Sequence, residues 1–138
     1  MIPKFRAWDK RKSVMREVAV LYFTKGGKVN GIEYWKTPSE LKSYHVRNLA
    51  LMQSTGLKDK HGVEIFEGDI VKLSVQNGFD YLDNEICIVK RSIVHSGLVC
   101  ATCKTDVEYR IYNTELFEEY VYEVIGNIYE NPDLLEAE

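Results

Sequence analysis

The sequence predicts a mainly β fold: β-rich α+β in class, with antiparallel strands in an SH3-like or related small barrel, an N-terminal β-meander and short helices. Three observations predict it. Aromatic residues make up 12% of the 138 residues and nine of them are Tyr, a composition that suits pleated, half-buried surfaces better than helical bundles. The apolar runs have the length of strands, and no long run has helical spacing. Glycine, Asp and Asn separate those runs with recognisable turn signals.

In chain order, Phe5–Trp8 reads as a short strand and Asp9-Lys10-Arg11-Lys12-Ser13 as a polar turn. Val14–Phe23 is a longer strand, reversed by Lys25-Gly26-Gly27-Lys28, where paired glycines supply the positive φ of a hairpin. Val29–Trp35 returns. Thr37-Pro38-Ser39-Glu40 has the pattern of a helix start, so one or two helical turns are expected over Pro38–Tyr44. Val46–Met52 is extended again. Asp59-Lys60-His61-Gly62 suits a type I turn, with Asp first and Gly fourth.

Val63–Phe66 continues as a strand, and Glu67-Gly68-Asp69 bends the chain at a glycine. Ile70–Val75 follows. A strand, a Gly-Asp bend and a second Val-rich strand recur in small SH3-like barrels, a likeness of fold that carries no function. Residues 77–84 read as a polar loop holding Phe79 and Tyr81. Ile86–Val94, Leu98–Cys103 and Val107–Tyr112 are three more strands. Asn113–Glu119 has a cap and acidic first-turn residues, so a short helix is expected there. Tyr122–Tyr129 is the last strand, and Asn131-Pro132 opens a helical turn through Leu135. One domain, 1–138, is expected, divisible into a meander of 1–48 and a barrel-like part of 49–138.

Eighteen Lys and Arg against 21 Asp and Glu give a net charge of −3. A grip on phosphate backbones usually shows as a basic excess, so the total disfavours nucleic acid. No apolar run reaches the ~20 residues of a membrane span. The first residues lack the apolar segment of a secretory signal, and a cytoplasmic location is expected. Three cysteines, an odd number, argue for reduced thiols over a disulfide framework.

Three blocks carry a resemblance. They are Phe5-Arg6-Ala7-Trp8-Asp9, the stretch from Thr55 to Val71 reading TGLKDKHGVEIFEGDIV, and the stretch from Val124 to Leu135 reading VIGNIYENPDLL. With them the chain resembles the YopX proteins of bacteriophages and prophages. The resemblance implies an accessory phage product in the cytoplasm of a bacterial host, and it implies no particular reaction. Phe5, Trp8, Asp9, Thr55, Gly56, Asp59, Gly62, Gly68, Asp69, Gly126, Asn127, Tyr129 and Pro132 carry the blocks and read as structural motif positions.

Candidate chemistry is sparse. Cys100-Ala101-Thr102-Cys103 has the spacing of a zinc clip, with Cys87 and His95 upstream. A strong zinc signature needs two such clips, so the cysteines read as small buried hydrophobes and no metal or cofactor is expected. His61 sits in a turn, while His45 and His95 have no assignable role. Glu64, Glu67 and Asp69 cluster around the bend and could hold a cation. Nearby lysines explain them as ion pairs, and Asp69 as a side chain that locks the turn by accepting amide hydrogen bonds. Arg6 and Asp9 read as a cross-strand salt link around Trp8.

The aromatic residues Phe79, Tyr81, Tyr109, Tyr112 and Tyr120 are the candidate interaction residues, since Tyr buries area at low entropy cost and keeps a polar handle. A non-enzymatic protein-interaction module that self-associates as a homo-oligomer is therefore the first expectation. A nucleic-acid-binding small barrel is the alternative, with basic residues at Lys4–Lys12 around Trp8 and again at Lys90 and Arg91. A metal-dependent enzyme using Glu67, Asp69 and a histidine comes last.

Overall fold

Strands separated by side-chain-locked turns dominate the computed structural model, which describes residues 4–76, 78, 81–92, 97–111 and 119–135. The chain divides into two units, 1–53 and 54–138.

The first unit contains β1 (Phe5–Asp9), β2 (Val14–Phe23), β3 (Val29–Thr37), β4 (Glu40–His45), a 3-10 turn (Val46–Asn48) and the start of β5 (Leu49–Lys58). Its strands run antiparallel in the order β4-β3-β2-β1-β5. Each turn has a local cause. The Asp9 carboxylate accepts the amides of Arg11 and Lys12 while Ser13 takes a positive φ of 53°. Gly27, at φ 85°, closes the β2–β3 hairpin where Thr24 and Lys28 are bonded. Ala7, Ile32, Tyr34 and Leu49 form the core, with Val18, Leu21 and Tyr44 packed against it.

The expected helix over Pro38–Tyr44 is not formed: residues 38–39 make a hairpin turn and Glu40–His45 is strand β4. The Thr37 hydroxyl accepts the Ser39 amide 3.4 Å away, a local turn that competes with helix capping. β3 then offers β4 a ladder from Thr37 back to Gly31.

The second unit begins within β5, whose Ser54 and Lys58 pair with Phe66 and Glu64 of β6 (Glu64–Phe66). β7 (Asp69–Gln76), β8 (Tyr81–Arg91), β9 (Leu98–Thr102), β10 (Glu108–Arg110) and β11 (Tyr120–Asn127) follow, and Pro132–Leu135 closes the described chain as a 3-10 turn. The sheet order is β10-β9-β8-β7-β11. Residues 81–84, expected in a loop, extend β8 at its start, and Asn84 absorbs the irregularity at φ 52°. The helix expected at Asn113 lies outside the described residues.

Instead of a closed SH3-like barrel, the structure has an open sheet with β10 and β11 at its edges. A side chain, not a ladder, links those edges: the Tyr122 hydroxyl donates to the Arg110 carbonyl at 3.2 Å. Tyr122 is fully buried among Ile65, Val71, Leu73, Val75, Val89 and two cysteines.

Candidate binding surface

The three sequence blocks turn out to be devices that hold turns. Asp9 is buried, and besides two amides its carboxylate accepts the Arg16 guanidinium at 3.3–3.4 Å. Arg16, not Arg6, is thus the ionic partner of Asp9, because the β1–β2 register sets Arg16 against Ala7, two residues from Asp9 and on the same face. Arg16 also stacks 4.4 Å above the Tyr34 ring. Burial works to raise the Asp9 pKa, but the Lys12 amide, Arg16 and the Arg11 amide outweigh it and hold the carboxyl below its usual range.

Asp59 does the same work in the central block. One oxygen accepts the amides of His61 and Val63, at 2.8 and 2.9 Å, and the other accepts Val124 of β11 at 2.9 Å. Burial again pushes upward and is outweighed by the Val124, Val63 and His61 amides, so the pKa is lowered. Asp69 is buried and accepts the Phe66 amide at 2.7 Å. Glu64 takes the Ser54 hydroxyl and Glu67 faces Arg91 at 3.7 Å, so the acidic cluster is divided among separate partners.

Thr55 donates to the Ile65 carbonyl, and Gly56 and Gly62 take positive φ of 79° and 80°. In the last block Asn127 accepts the amides of Tyr129 and Glu130, and Ile128 donates to the carbonyl of Gly68, which stands at φ 87°. Phe5 and Trp8 are half-buried, and Pro132 starts the final 3-10 turn.

Cys87 and Cys100 face the core of the second unit. Burial pushes Cys87 up to about 12, helped by Cys103 and Glu85, and Cys100 lies well above its ordinary value for the same first reason. Cys103 is half-buried, and His95 lies outside the described residues. Among the described residues no group of three or more His, Cys, Asp or Glu is placed to hold a metal. His61 is exposed, 3.3 Å from Glu123. His45 accepts the Arg47 amide and so caps the 3-10 turn after β4, a role that sequence reading left blank.

Of the candidate interaction tyrosines, Tyr81 is 72% exposed, beside a groove of about 410 Å³ that includes Asp83, Glu119 and Val121. Tyr109 and Tyr120 pack against the core of the second unit. Phe79 and Tyr112 lie outside the described residues.

A different surface stands out. Among the described residues nine large apolar side chains are exposed, and five of them, Val14, Tyr22, Phe23, Trp35 and Leu41, lie on β2, β3 and β4. Opposed residues of an antiparallel pair share a face. Trp35 opposes Leu41, and Tyr22 opposes Gly31, which opposes His45. Ile32 and Tyr34 turn the other way, into the core. The Tyr22 ring lies over Gly31, where a Cβ would stand 3.8 Å from it, and its hydroxyl donates to Glu33 on the same face. A groove of about 530 Å³ opens beside Tyr22, Phe23 and His45, and one of about 420 Å³ beside Trp35 and Lys36.

The charge is distributed as unevenly as the apolar surface. Residues 1–53 hold eleven Lys and Arg against four Asp and Glu, a net of +7; residues 54–138 hold seven against seventeen, a net of −10. The near-neutral total therefore conceals a cationic unit. Counting charge on each side of the division would have found it in the sequence. The second expected basic cluster is neutralised: Lys90 is 2.7 Å from Asp106 and Arg91 3.7 Å from Glu67.

Residues 4–136 match the model of the family described as YopX protein. Among solved structures, the chain is similar to protein EF1440 from Enterococcus faecalis, with 28% identity and a TM-score of 0.67, over 98% of this chain and 99% of that one. No curated protein matches it.

Proposed function

The chain belongs to the YopX protein family, and from that premise we propose that it is a non-enzymatic binding protein, an accessory of a phage or prophage, working through the open face of β2, β3 and β4. The observation that carries this reading is the exposed Trp35–Leu41 cross-strand pair with Tyr22 farther along the same face. Large apolar side chains gathered on one exposed face mark interaction sites. The carboxylates of Asp9, Asp59 and Asp69 are occupied instead with backbone amides, joined at Asp9 by Arg16, which is scaffold work.

A variant carrying Trp35→Ser and Leu41→Ser tests the reading. Both side chains are exposed, so the thermal midpoint should stay within about 2 °C of wild type. Tagged wild-type protein should retain partners from host lysate that the variant loses. Identical capture by the two proteins would sink the assignment of the face.

A second reading, self-association, is favoured by β4 itself. It is an edge strand, exposed along nearly its whole length, and such edges recruit other strands. Two-fold pairing of two β4 strands centred on Leu41 sets Glu40 opposite Lys42 of the second copy, twice.

A further inference from the structure

We propose that the occupant of the β2–β3–β4 face is single-stranded nucleic acid, its bases stacked on exposed rings and its phosphates met by unpaired lysines. This inference rests on the reading of that face as the working surface and adds the chemistry of its partner.

Two independent features of the first unit converge on that chemistry. The first is charge. The unit's net +7 includes side chains with no anionic partner: among the described residues no ion pair involves Lys25, Lys28 or Lys36, and all three are exposed. Lys25 and Lys28 flank the hairpin turn that follows Phe23, and Lys36 lines the groove beside Trp35, whereas Lys42 opposes Tyr34 and belongs to the other face. Unpaired lysines gain most from a ligand that carries a series of negative charges, because each contact releases a condensed counterion.

The second feature is the rings. Trp35 is 41% exposed, Tyr22 45% and Phe23 59%. Gly31 and Trp35 are four residues apart on β3, which puts the Tyr22 and Trp35 positions roughly 13 Å apart along the strand at 3.3 Å per residue. Every base has a π-face, so stacking on such rings is tolerant of sequence and worth about 1–3 kcal/mol per base. Stacking on these rings needs unpaired bases, which favours single strands over duplex. The net −10 of the second unit makes it a poor host for a phosphate backbone, which leaves the first unit as the place for such a ligand.

Fluorescence anisotropy of the full chain tests this with four probes at matched length: labelled oligo-dT, oligo-rU, a mixed-sequence DNA duplex and polyglutamate. The expected result is binding of a single strand at least tenfold tighter than either duplex or polyglutamate. The log–log salt slope should be about −2, from three lysines at roughly −0.7 each. Trp35→Ser should weaken single-strand binding about tenfold with the slope unchanged, since one lost stack is worth about 1.4 kcal/mol or more. Lys28→Glu with Lys36→Glu should flatten the slope. Equal binding of polyglutamate would overturn the inference and point to an acidic protein. Absence of single-strand binding at 50 mM salt would overturn it too, while the lysate comparison with the Trp35/Leu41 variant judges the face separately. Single-strand binding unchanged in both variants would place any such ligand elsewhere and overturn it as well.

Discussion

Asp59 shows how much a single carboxylate can organise. Three amides from two separated segments converge on its two oxygens, and the residue is buried. Asp59→Ala strands those donors and should cost about 2–4 kcal/mol in urea unfolding at neutral pH. The acid limb follows from the lowered pKa values of Asp59 and Asp9. In the unfolded chain these carboxyls titrate near 3.8; in the folded chain they stay ionised to lower pH. As pH falls through that window the unfolded state binds protons that the folded state does not, so stability is lost. The urea midpoint of wild type should therefore drop between pH 5 and roughly pH 3 more steeply than that of Asp59→Ala. Parallel curves would show that the Asp59 carboxylate is not the titrating brace.

Within an element, β11 illustrates packing that leaves room for no side chain. Its register shifts between Val124 and Gly126. A Cβ on Gly126 would lie 2.7 Å from Cγ of Asn131, the residue whose side-chain Oδ1 accepts the Asn127 amide. Gly126→Ala should destabilise by about 1–3 kcal/mol through overpacking. With Asn131→Ala present as well, the combined loss should fall short of the sum by about 1 kcal/mol, the signature of a direct contact in a double-mutant cycle. Additive losses would refute the contact. The hairpin at Gly26-Gly27, the bend at Gly68 and the Asp69 lock were all legible in the sequence, because glycine and Asp announce the backbone they permit. β4 was not legible: Thr37-Pro38-Ser39-Glu40 satisfies a helix start locally, and only the ladder offered by β3, a tertiary fact, decides otherwise. The same misreading hid Leu41, and with it the Trp35 pair.

For the molecule as a whole, the sheet edge at β4 yields a test of self-association. Glu40→Lys or Lys42→Glu alone would set like charges opposite each other in a Leu41-centred pairing, which is destabilising. The double swap restores complementarity. In sedimentation, wild type and the double variant should show the assembled mass and the two single variants the mass of one chain; one mass throughout would discard this pairing. At this scale the sequence was read in total where it should have been read in parts. A net of −3 argued against an anionic partner, although the charges of the two units are opposite in sign.

That division also governs how the protein behaves among its own kind. A chain with a cationic first part and an anionic second part is an ampholyte in blocks, and opposite parts of neighbouring molecules should attract when little salt is present. Screening falls to a length of about 10 Å at 0.1 M ionic strength, so added electrolyte loosens that attraction. The protein should salt in rather than out over this range, and at one pH it should adhere to both cation- and anion-exchange resins.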